Sequence, residues 1–343
     1  MNWFERDDDI LLCRQFTVAL VDLAKQSGIH PDKILKGTRC FYNDLIKPEY
    51  CISVQALLVI IDNVNKLSTR QDLSFLLGRK FFPSHVGMLG QAFLNCSNIA
   101  QMLRICQCFQ FQLCPFLFVQ VSKTTGKTHL IFNSAVGTLH DHQQRFLYEF
   151  MFTAMLGALK FRLGELVPLS IKLPYRAVEY TEQYQVHWGG KVQFDQQIAM
   201  ITIADNWLYK PLPDSSLPLK KMALNEAKVQ RLTACKIGFV QAVCQYIKCK
   251  MATQDISLEA CAAHFKMSPA TFKRKLSHHQ TRYQQLLDQL RSQHAIFLMT
   301  ENQQSNERIA SSLQFTDLTN FRRAFKRWTG MTPTDFRHKC GQF

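Results

Sequence analysis

The chain has 343 residues, more than one ordinary hydrophobic core accommodates, so we expect about two domains. Hydrophobic residues make up 47% and charged residues 20%, a composition that excludes a disordered or membrane-embedded chain and is typical of globular proteins. No apolar run reaches the ~18 residues of a membrane span, and the acidic N-terminus is unlike a secretory signal, so a cytoplasmic protein without a membrane partner is expected.

The first part of the chain mixes predicted helices with predicted strands. Helical spacing of apolar residues, and two short apolar runs flanking a turn-rich stretch, predict these elements. The predicted helices are Phe16–Gln26, Val54–Leu67, a helix capped by Ser97 or Asn98, and Asp141–Leu163. The predicted strands are Phe116–Val121, His129–Phe132, Leu169–Leu173 and Ile198–Ile203. Together they predict an α+β sensor domain over residues 1–208.

The cysteines of this part allow two interpretations. Cys106 and Cys108 form a CxC pair with Cys96 and Cys114 nearby, which leaves a metal-sensing cluster as one alternative. The surrounding segment Met102–Phe118 is otherwise aromatic and aliphatic, which favours core packing, since reduced cysteines behave as small buried hydrophobes. We therefore predict no metal there.

A linker is predicted at residues 209–222. Tyr209–Leu219 contains three prolines, two serines and an aspartate in eleven residues, a composition that disfavours a regular element. The chain after it, residues 223–343, is predicted to be an all-α domain. It carries 18 lysines and arginines against 8 acidic residues, whereas residues 1–222 carry 23 against 18. This basic balance indicates a polyanionic partner, with a solvated basic surface as the alternative.

The all-α domain contains two predicted helix-turn-helix units. In the first, at about 257–278, Ser257 caps a short helix, and Ser268 caps a second one with Pro269 at its first position. A similar unit recurs at about 306–328, with Asp317 or Thr316 as the cap of its second helix.

One amphipathic helix is predicted at about 282–299, between the two units. Its roughly eighteen residues span about 27 Å at ~1.5 Å per residue. A strut of that length would place two recognition helices near the ~34 Å repeat of successive major grooves.

The second unit closely resembles the signature of the AraC family of transcription regulators. The match runs from Ile309-Ala310-x-x-Leu313-x-Phe315 through Phe321–Pro333 without a gap. Further agreement is found at Ala262, Met267, Ser268, Arg274, Leu287 and Arg291. Gln314 departs from the family pattern, which usually has glycine at this turn because the position favours a left-handed backbone.

Residues 1–208 resemble, more loosely, the effector-binding domain of one branch of this family. The matching stretches are Gly87–Gly90, Phe194-Asp195 and Pro211–Pro213. The resemblance implies a sequence-specific DNA-binding transcription regulator controlled by an effector of the amino acid, sugar or fatty acid class. Its implied partners are double-stranded promoter DNA, RNA polymerase if the protein is an activator, and a second copy of the chain.

The predicted DNA contacts are the outward-facing residues of the two recognition helices. Base-edge contacts are expected from Ala270, Thr271, Lys273, Arg274, Thr319, Asn320 and Arg323. Phosphate contacts are expected from Lys275, Arg322, Lys326 and Arg327. The alternative for Lys273 and Lys275 is phosphate contact or plain solvation. Core packing rather than base stacking is expected of Phe315, Phe321, Phe325 and Trp328.

Two other functions are weaker alternatives. DNA-repair methyltransferases carry a similar helix-turn-helix domain, but their Pro-Cys-His-Arg motif and four-cysteine zinc site are absent here. Neither His140–His142 nor His278–His279 has a third ligand at metal spacing, so we expect exposed histidines there. We expect no catalytic residue, metal or cofactor. The second alternative keeps DNA binding and makes residues 1–208 only a dimerisation module.

Overall fold

The computed structural model describes residues 3–229, 237–251 and 256–341, and it divides into two compact units, residues 1–238 and 239–343. The first unit is mixed α+β and the second is all-α in its described residues, in agreement with the predicted fold class. Within the described ranges, none of the helices combines the length and apolar character that a membrane span requires.

The described residues of the first unit form α-helices and three sheets. In chain order its α-helices are α1 (Thr17–Gln26), α2 (Pro31–Ile34), α3 (Val54–Leu67), α4 (Leu73–Phe81), α5 (Met88–Leu94), α6 (Ile99–Cys108), α7 (Gln110–Leu113), α8 (Asp141–Leu163), α9 (Thr181–Trp188), α10 (Asp205–Leu208) and α11 (Leu217–Val229). Short 3-10 helices cover Tyr42–Ile46 and Ser84–Val86. Its strands are β1 (Trp3–Phe4), β2 (Asp9–Leu12), β3 (Cys51–Ser53), β4 (Leu117–Thr124), β5 (Lys127–Ser134), β6 (Ser170–Lys172), β7 (Lys191–Gln193), β8 (Ala199–Ala204) and β9 (Ile237–Gly238).

The largest sheet has five strands in the order β4-β5-β8-β6-β7, while β1 pairs with β9 and β2 with β3. The predicted hairpin is present, with Leu117 opposite Ser134 and Thr124 opposite Lys127. Helix α8 packs against this sheet, where the rings of Phe132 and Phe152 lie 4.6 Å apart. The sheet and α8 thus form the centre of the first unit.

The predicted linker differs from the structure in its second half. Residues 217–222 begin helix α11, which packs against α5. Pro218 lies in the first turn, where a missing N–H costs nothing, so this proline does not exclude a helix. The segment before α11 is held to the first unit, because Arg162 donates to the carbonyl of Pro213 at 2.6 Å. The two compact units therefore divide at residues 238/239 rather than at the predicted residues 208 and 223.

The second unit consists of helices around an aromatic core. Its helices are α12 (Phe239–Lys250), α13 (Leu258–His264), α14 (Pro269–His278), α15 (Tyr283–Thr300), α16 (Asn306–Ser312), α17 (Leu318–Thr329) and α18 (Pro333–Cys340). The rings of Phe239, Phe265 and Phe272 lie 5.8–5.9 Å apart. This cluster holds α12, α13 and α14 together.

Candidate nucleic-acid interface

Side-chain caps fix where the helices of the two helix-turn-helix units begin. The Ser257 hydroxyl accepts from the N–H of Ala260 at 3.1 Å, and the Ser268 hydroxyl accepts from the N–H of Thr271 at 3.2 Å. In the second unit Asp317, and not Thr316, accepts from the N–H that lies three residues later. Each such bond satisfies a backbone donor that the helix leaves unpaired.

Two further caps were missed by the sequence analysis. Ser305 caps α16 and Thr332 caps α18. Thr332 was open to prediction, because Pro333 at the first helical position and Asp335 two residues later form a typical helix start. Both caps position helices that flank α17.

The turns of the two units have the same backbone geometry. Lys266 and Gln314 have φ angles of 55° and 59° at equivalent positions. In both turns the backbone N–H of the next residue donates to the carbonyl five residues earlier. The distance is 2.9 Å from Met267 to Ala262, and it is 3.0 Å from Phe315 to its acceptor. The backbone of Gln314 is therefore in the left-handed region, which glycine adopts most easily. This explains why the family usually has glycine at this position.

Helix α14 buries one side and exposes the other. Phe272 and Leu276 are 0% and 1% exposed. All four residues predicted to contact bases on this helix are solvent-exposed: Ala270, Thr271, Lys273 and Arg274. Lys275 is half-buried, with its ammonium 5.3 Å from the centre of the Phe239 ring. The helix thus presents a short, basic outer face.

Helix α17 has the same two-sided arrangement. Phe321 and Phe325 are fully buried. The predicted contact residues of this helix are all exposed: Thr319, Asn320, Arg322, Arg323, Lys326 and Arg327. Phe315 and Trp328 are only half-buried, but their rings lie 6.0 Å apart, so they pack on each other at the edge of the core.

Two of these exposed residues have partners within the unit. The side-chain amide of Asn320 donates to Asp317 at 2.7 Å and to Thr316 at 3.3 Å. Arg327 pairs with both carboxylate oxygens of Asp288 on α15, at 3.0 and 3.1 Å. A contact of either residue with DNA would compete with these bonds.

Helix α15, of eighteen residues, joins the two helix-turn-helix units of the second compact unit. Its buried side packs against α12, α16 and α17. Arg291 places its guanidinium 5.4 Å from the centre of the Phe315 ring. Burial lowers the pKa of Arg291, and the nearby carboxylate of Asp288 partly offsets this decrease. The helix therefore packs directly on the second helix-turn-helix unit, and the ring of its first residue, Tyr283, lies 6.3 Å from that of Phe272 in the first.

The remaining candidate groups form no site of this kind. His278 is exposed, but His279 is fully buried beside the Phe239 ring at 5.6 Å, so the prediction of exposed histidines is wrong for His279. Cys96 and Cys114 are buried, whereas Cys108 is exposed. Over residues 3–229, 237–251 and 256–341, no three His, Cys, Asp or Glu side chains are grouped as metal ligands.

Two family models match the chain. The model "Arabinose-binding domain of AraC transcription regulator, N-term" matches residues 28–212, more than half of the sequence, and a "Helix-turn-helix domain" model matches residues 261–339. The chain belongs to the AraC family of transcription regulators. It thus combines the ligand-binding type of N-terminal domain with a helix-turn-helix DNA-binding domain.

Curated relatives of this AraC-family protein are transcription regulators. It is 24% identical to the ornithine utilization regulator of Pseudomonas aeruginosa over 94% of this chain and 95% of the relative. It is 22% identical to the regulator VqsM of the same species over 76% of this chain and 82% of that one. The crystal structure of the transcriptional regulator CdpR from Pseudomonas aeruginosa has a TM-score of 0.46 and 18% identity, covering 94% of this chain and 97% of CdpR.

Removal of the cap of α17 in this AraC-family protein is expected to destabilise the second unit. In Asp317→Ala the N–H of Asn320 loses its partner, at an expected cost of about 1 kcal/mol. Hydrogen exchange of the α17 amides measures the loss. The control Ser311→Ala, an exposed residue of α16, is expected to change stability by less than about 0.5 kcal/mol. Equal protection of α17 in both variants would contradict the capping role.

Proposed function

We propose that this AraC-family regulator inserts α14 and α17 into successive major grooves of promoter DNA. The repeated geometry supports the proposal, since both helices are capped, follow the same left-handed turn and expose a basic face. The eighteen residues of α15 correspond to about 27 Å. That length is close to the ~34 Å repeat of the major groove.

We divide the exposed residues into those that contact base edges and those that contact phosphates. We assign base contacts to Ala270, Thr271, Lys273, Arg274, Thr319, Asn320 and Arg323. We assign phosphate contacts to Lys275, Arg322, Lys326 and Arg327. Arg274 is suited to guanine, because a guanidinium donates two parallel hydrogen bonds to the O6 and N7 atoms. Phosphate contacts supply affinity and salt dependence, whereas base contacts choose the promoter.

A small-molecule effector bound to the N-terminal domain controls DNA binding in this proposal. The similarity to an ornithine utilization regulator over 94% of this chain supports an effector of the amino acid class, with sugars and fatty acids as the other classes to test. The effector acts by binding one of two states more tightly. RNA polymerase and a second copy of the chain are the proposed protein partners, and the cytoplasm is the proposed compartment. The function requires no catalytic step.

Selection of bound sequences from a random duplex library tests the DNA-binding mode. Wild-type protein is expected to enrich two half-elements about one helical turn apart. Arg274→Ala is expected to lose base preference at one position of one half-element, at a cost of about 1–3 kcal/mol on the preferred site. The control is Arg104→Ala, which removes an exposed arginine of the N-terminal domain and is expected to leave the motif unchanged.

Two results would contradict this mode of binding. Enrichment of a single half-element would exclude insertion of both helices. An unchanged motif in Arg274→Ala, with affinity reduced equally for all sequences, would make Arg274 a phosphate contact.

A further inference from the structure

A polar cleft lies in the first unit between the start of α4 and the middle of α8. Its volume is about 620 Å³, within the range of small-molecule sites. The lining is mostly polar and comes from α3, the loop between α3 and α4, α4, α8 and the segment before α9; it includes Arg70, Ser74, His142, Arg145, Glu149 and Tyr180. A cleft of this composition suits a polar ligand better than a fatty acid.

Glu149 is the buried acidic group of this cleft, with only 2% of its surface exposed. Its Oε2 atom accepts from the Ser74 hydroxyl at 2.5 Å. Its Oε1 atom accepts from the hydroxyls of Tyr184 at 2.5 Å and Tyr180 at 3.1 Å. A carboxylate has about four acceptor positions, so one position, on Oε2, is left for a ligand donor.

The donors around Glu149 are neutral hydroxyls. Burial raises the pKa of Glu149 above its ordinary value, and the hydroxyls of Ser74 and Tyr184 and the nearby charge of Arg145 offset only part of this rise. Within the described residues, no Lys, Arg or His nitrogen lies within 4.0 Å of this carboxylate. A buried carboxylate is costly without a cation, and a bound ammonium group would supply one.

Arg145 lies one turn before Glu149 on the same side of α8, since residues four apart are neighbours on a helix. Its guanidinium is 5.9 Å from the centre of the Tyr180 ring, and its side chain is partly exposed. Among the described residues it forms no salt bridge. The other cations of the cleft differ, because Arg70 is paired with Asp72 at 2.7 Å and His142 lies 2.7 Å from Asp62.

The cleft therefore presents one carboxylate and one guanidinium at neighbouring positions of α8, and neither forms a salt bridge within the described residues. We propose that it binds a zwitterionic amino compound, such as a free amino acid, with the ammonium group on Glu149 and the anionic group on Arg145. This inference rests on the proposed function, in which the N-terminal domain holds the effector, and it names the place and the chemical class of that effector.

The test measures ligand binding to the full-length protein by titration calorimetry. The probes are the twenty standard L-amino acids and L-ornithine, each at millimolar concentration, with L-arabinose and decanoate as members of the other classes. At least one amino acid is expected to bind. Its Nα-acetyl and α-carboxamide derivatives, which remove one charge each, are expected to bind about thirtyfold more weakly or worse.

Two variants assign the binding to the cleft. Arg145→Ala and Glu149→Gln are each expected to weaken binding of the amino acid about thirtyfold or more. The controls Arg104→Ala and Glu182→Gln remove exposed charges elsewhere and are expected to leave the affinity unchanged. Because Glu149 is buried, thermal unfolding of each variant is compared with that of wild type. If Glu149→Gln does not fold, binding to Arg145→Ala tests the site instead, because Arg145 is half-exposed.

Any one of the following results would overturn the inference. They are the absence of binding by every amino acid, binding that Arg145→Ala does not change, and full affinity for the acetylated derivative. Binding of L-arabinose or decanoate alone would also reject this site and class, while leaving an effector-controlled regulator intact. A protein that enriches no DNA sequence with or without any probe would instead contradict the proposed function.

Discussion

Replacement of Phe272 by alanine is expected to destabilise the second unit by about 3–5 kcal/mol. The side chain is fully buried, and its ring lies 5.9 Å from those of Phe239 and Phe265 and 6.3 Å from that of Tyr283. The truncation removes both apolar contacts and the packing that orients α14. Since a domain is stable by only about 5–15 kcal/mol, we expect loss of sequence-specific DNA binding at elevated temperature.

Hydrogen exchange of the amides in α12 to α15 measures the loss of stability separately for each of these helices. The control is Phe41→Ala, because Phe41 is 74% exposed, and its effect is expected to stay within about 0.5 kcal/mol. Unchanged protection of α14 in Phe272→Ala would show that the aromatic cluster does not hold the first helix-turn-helix unit together.

Replacement of Gly78 by alanine is expected to destabilise the first unit by about 1–3 kcal/mol or more. Helices α4 and α8 approach each other closely here, because a Cβ atom at Gly78 would lie 2.6 Å from the carbonyl oxygen of Phe150 and 2.6 Å from the Cβ atom of Thr153. The backbone of α8 cannot move aside as a flexible side chain would. The two helices must therefore separate, which also disturbs the Ser74 and Glu149 contact nearby.

Gly157 provides a control of opposite sign. It lies inside α8, and a Cβ atom there would meet nothing within 4 Å. Gly157→Ala is therefore expected to stabilise the first unit by up to about 1 kcal/mol, since alanine has the higher helix propensity. Thermal unfolding of the two variants compares them directly. A loss of stability in Gly157→Ala equal to that in Gly78→Ala would exclude close helix contact as the cause.

Local signals made the DNA-binding domain predictable from the sequence. Caps such as Ser268 and the left-handed turn at Gln314 depend on residues within one or two helical turns. The apolar spacing of α15 then specified which face packs inward. The exposed positions of α14 and α17 follow from the same periodicity, which is why the predicted contact residues are all at least partly accessible. Their roles on DNA stay predictions.

The first unit was less predictable because its key contacts are distant in sequence. Glu149 stands alone in an apolar run, Phe-Leu-Tyr-Glu-Phe-Met-Phe, and such a lone carboxylate is a signal of a buried polar group. The sequence does not reveal its partners, since Ser74 is 75 residues away and Tyr184 is 35 residues away. Their convergence depends on how α4 and α9 pack against α8.

Sequence alone thus determined the fold class, the two helix-turn-helix units, the α15 strut and the family resemblance, because these depend on helical spacing, caps and turns. Tertiary structure decided where α11 docks, that Arg327 pairs with Asp288 across 39 residues, and that Ser74 and Tyr184 both donate to Glu149. The physical reason is the distance along the chain over which each kind of interaction acts. Capping and periodicity act between neighbours along the chain, whereas docking and buried polar clusters arise only when distant segments are packed together.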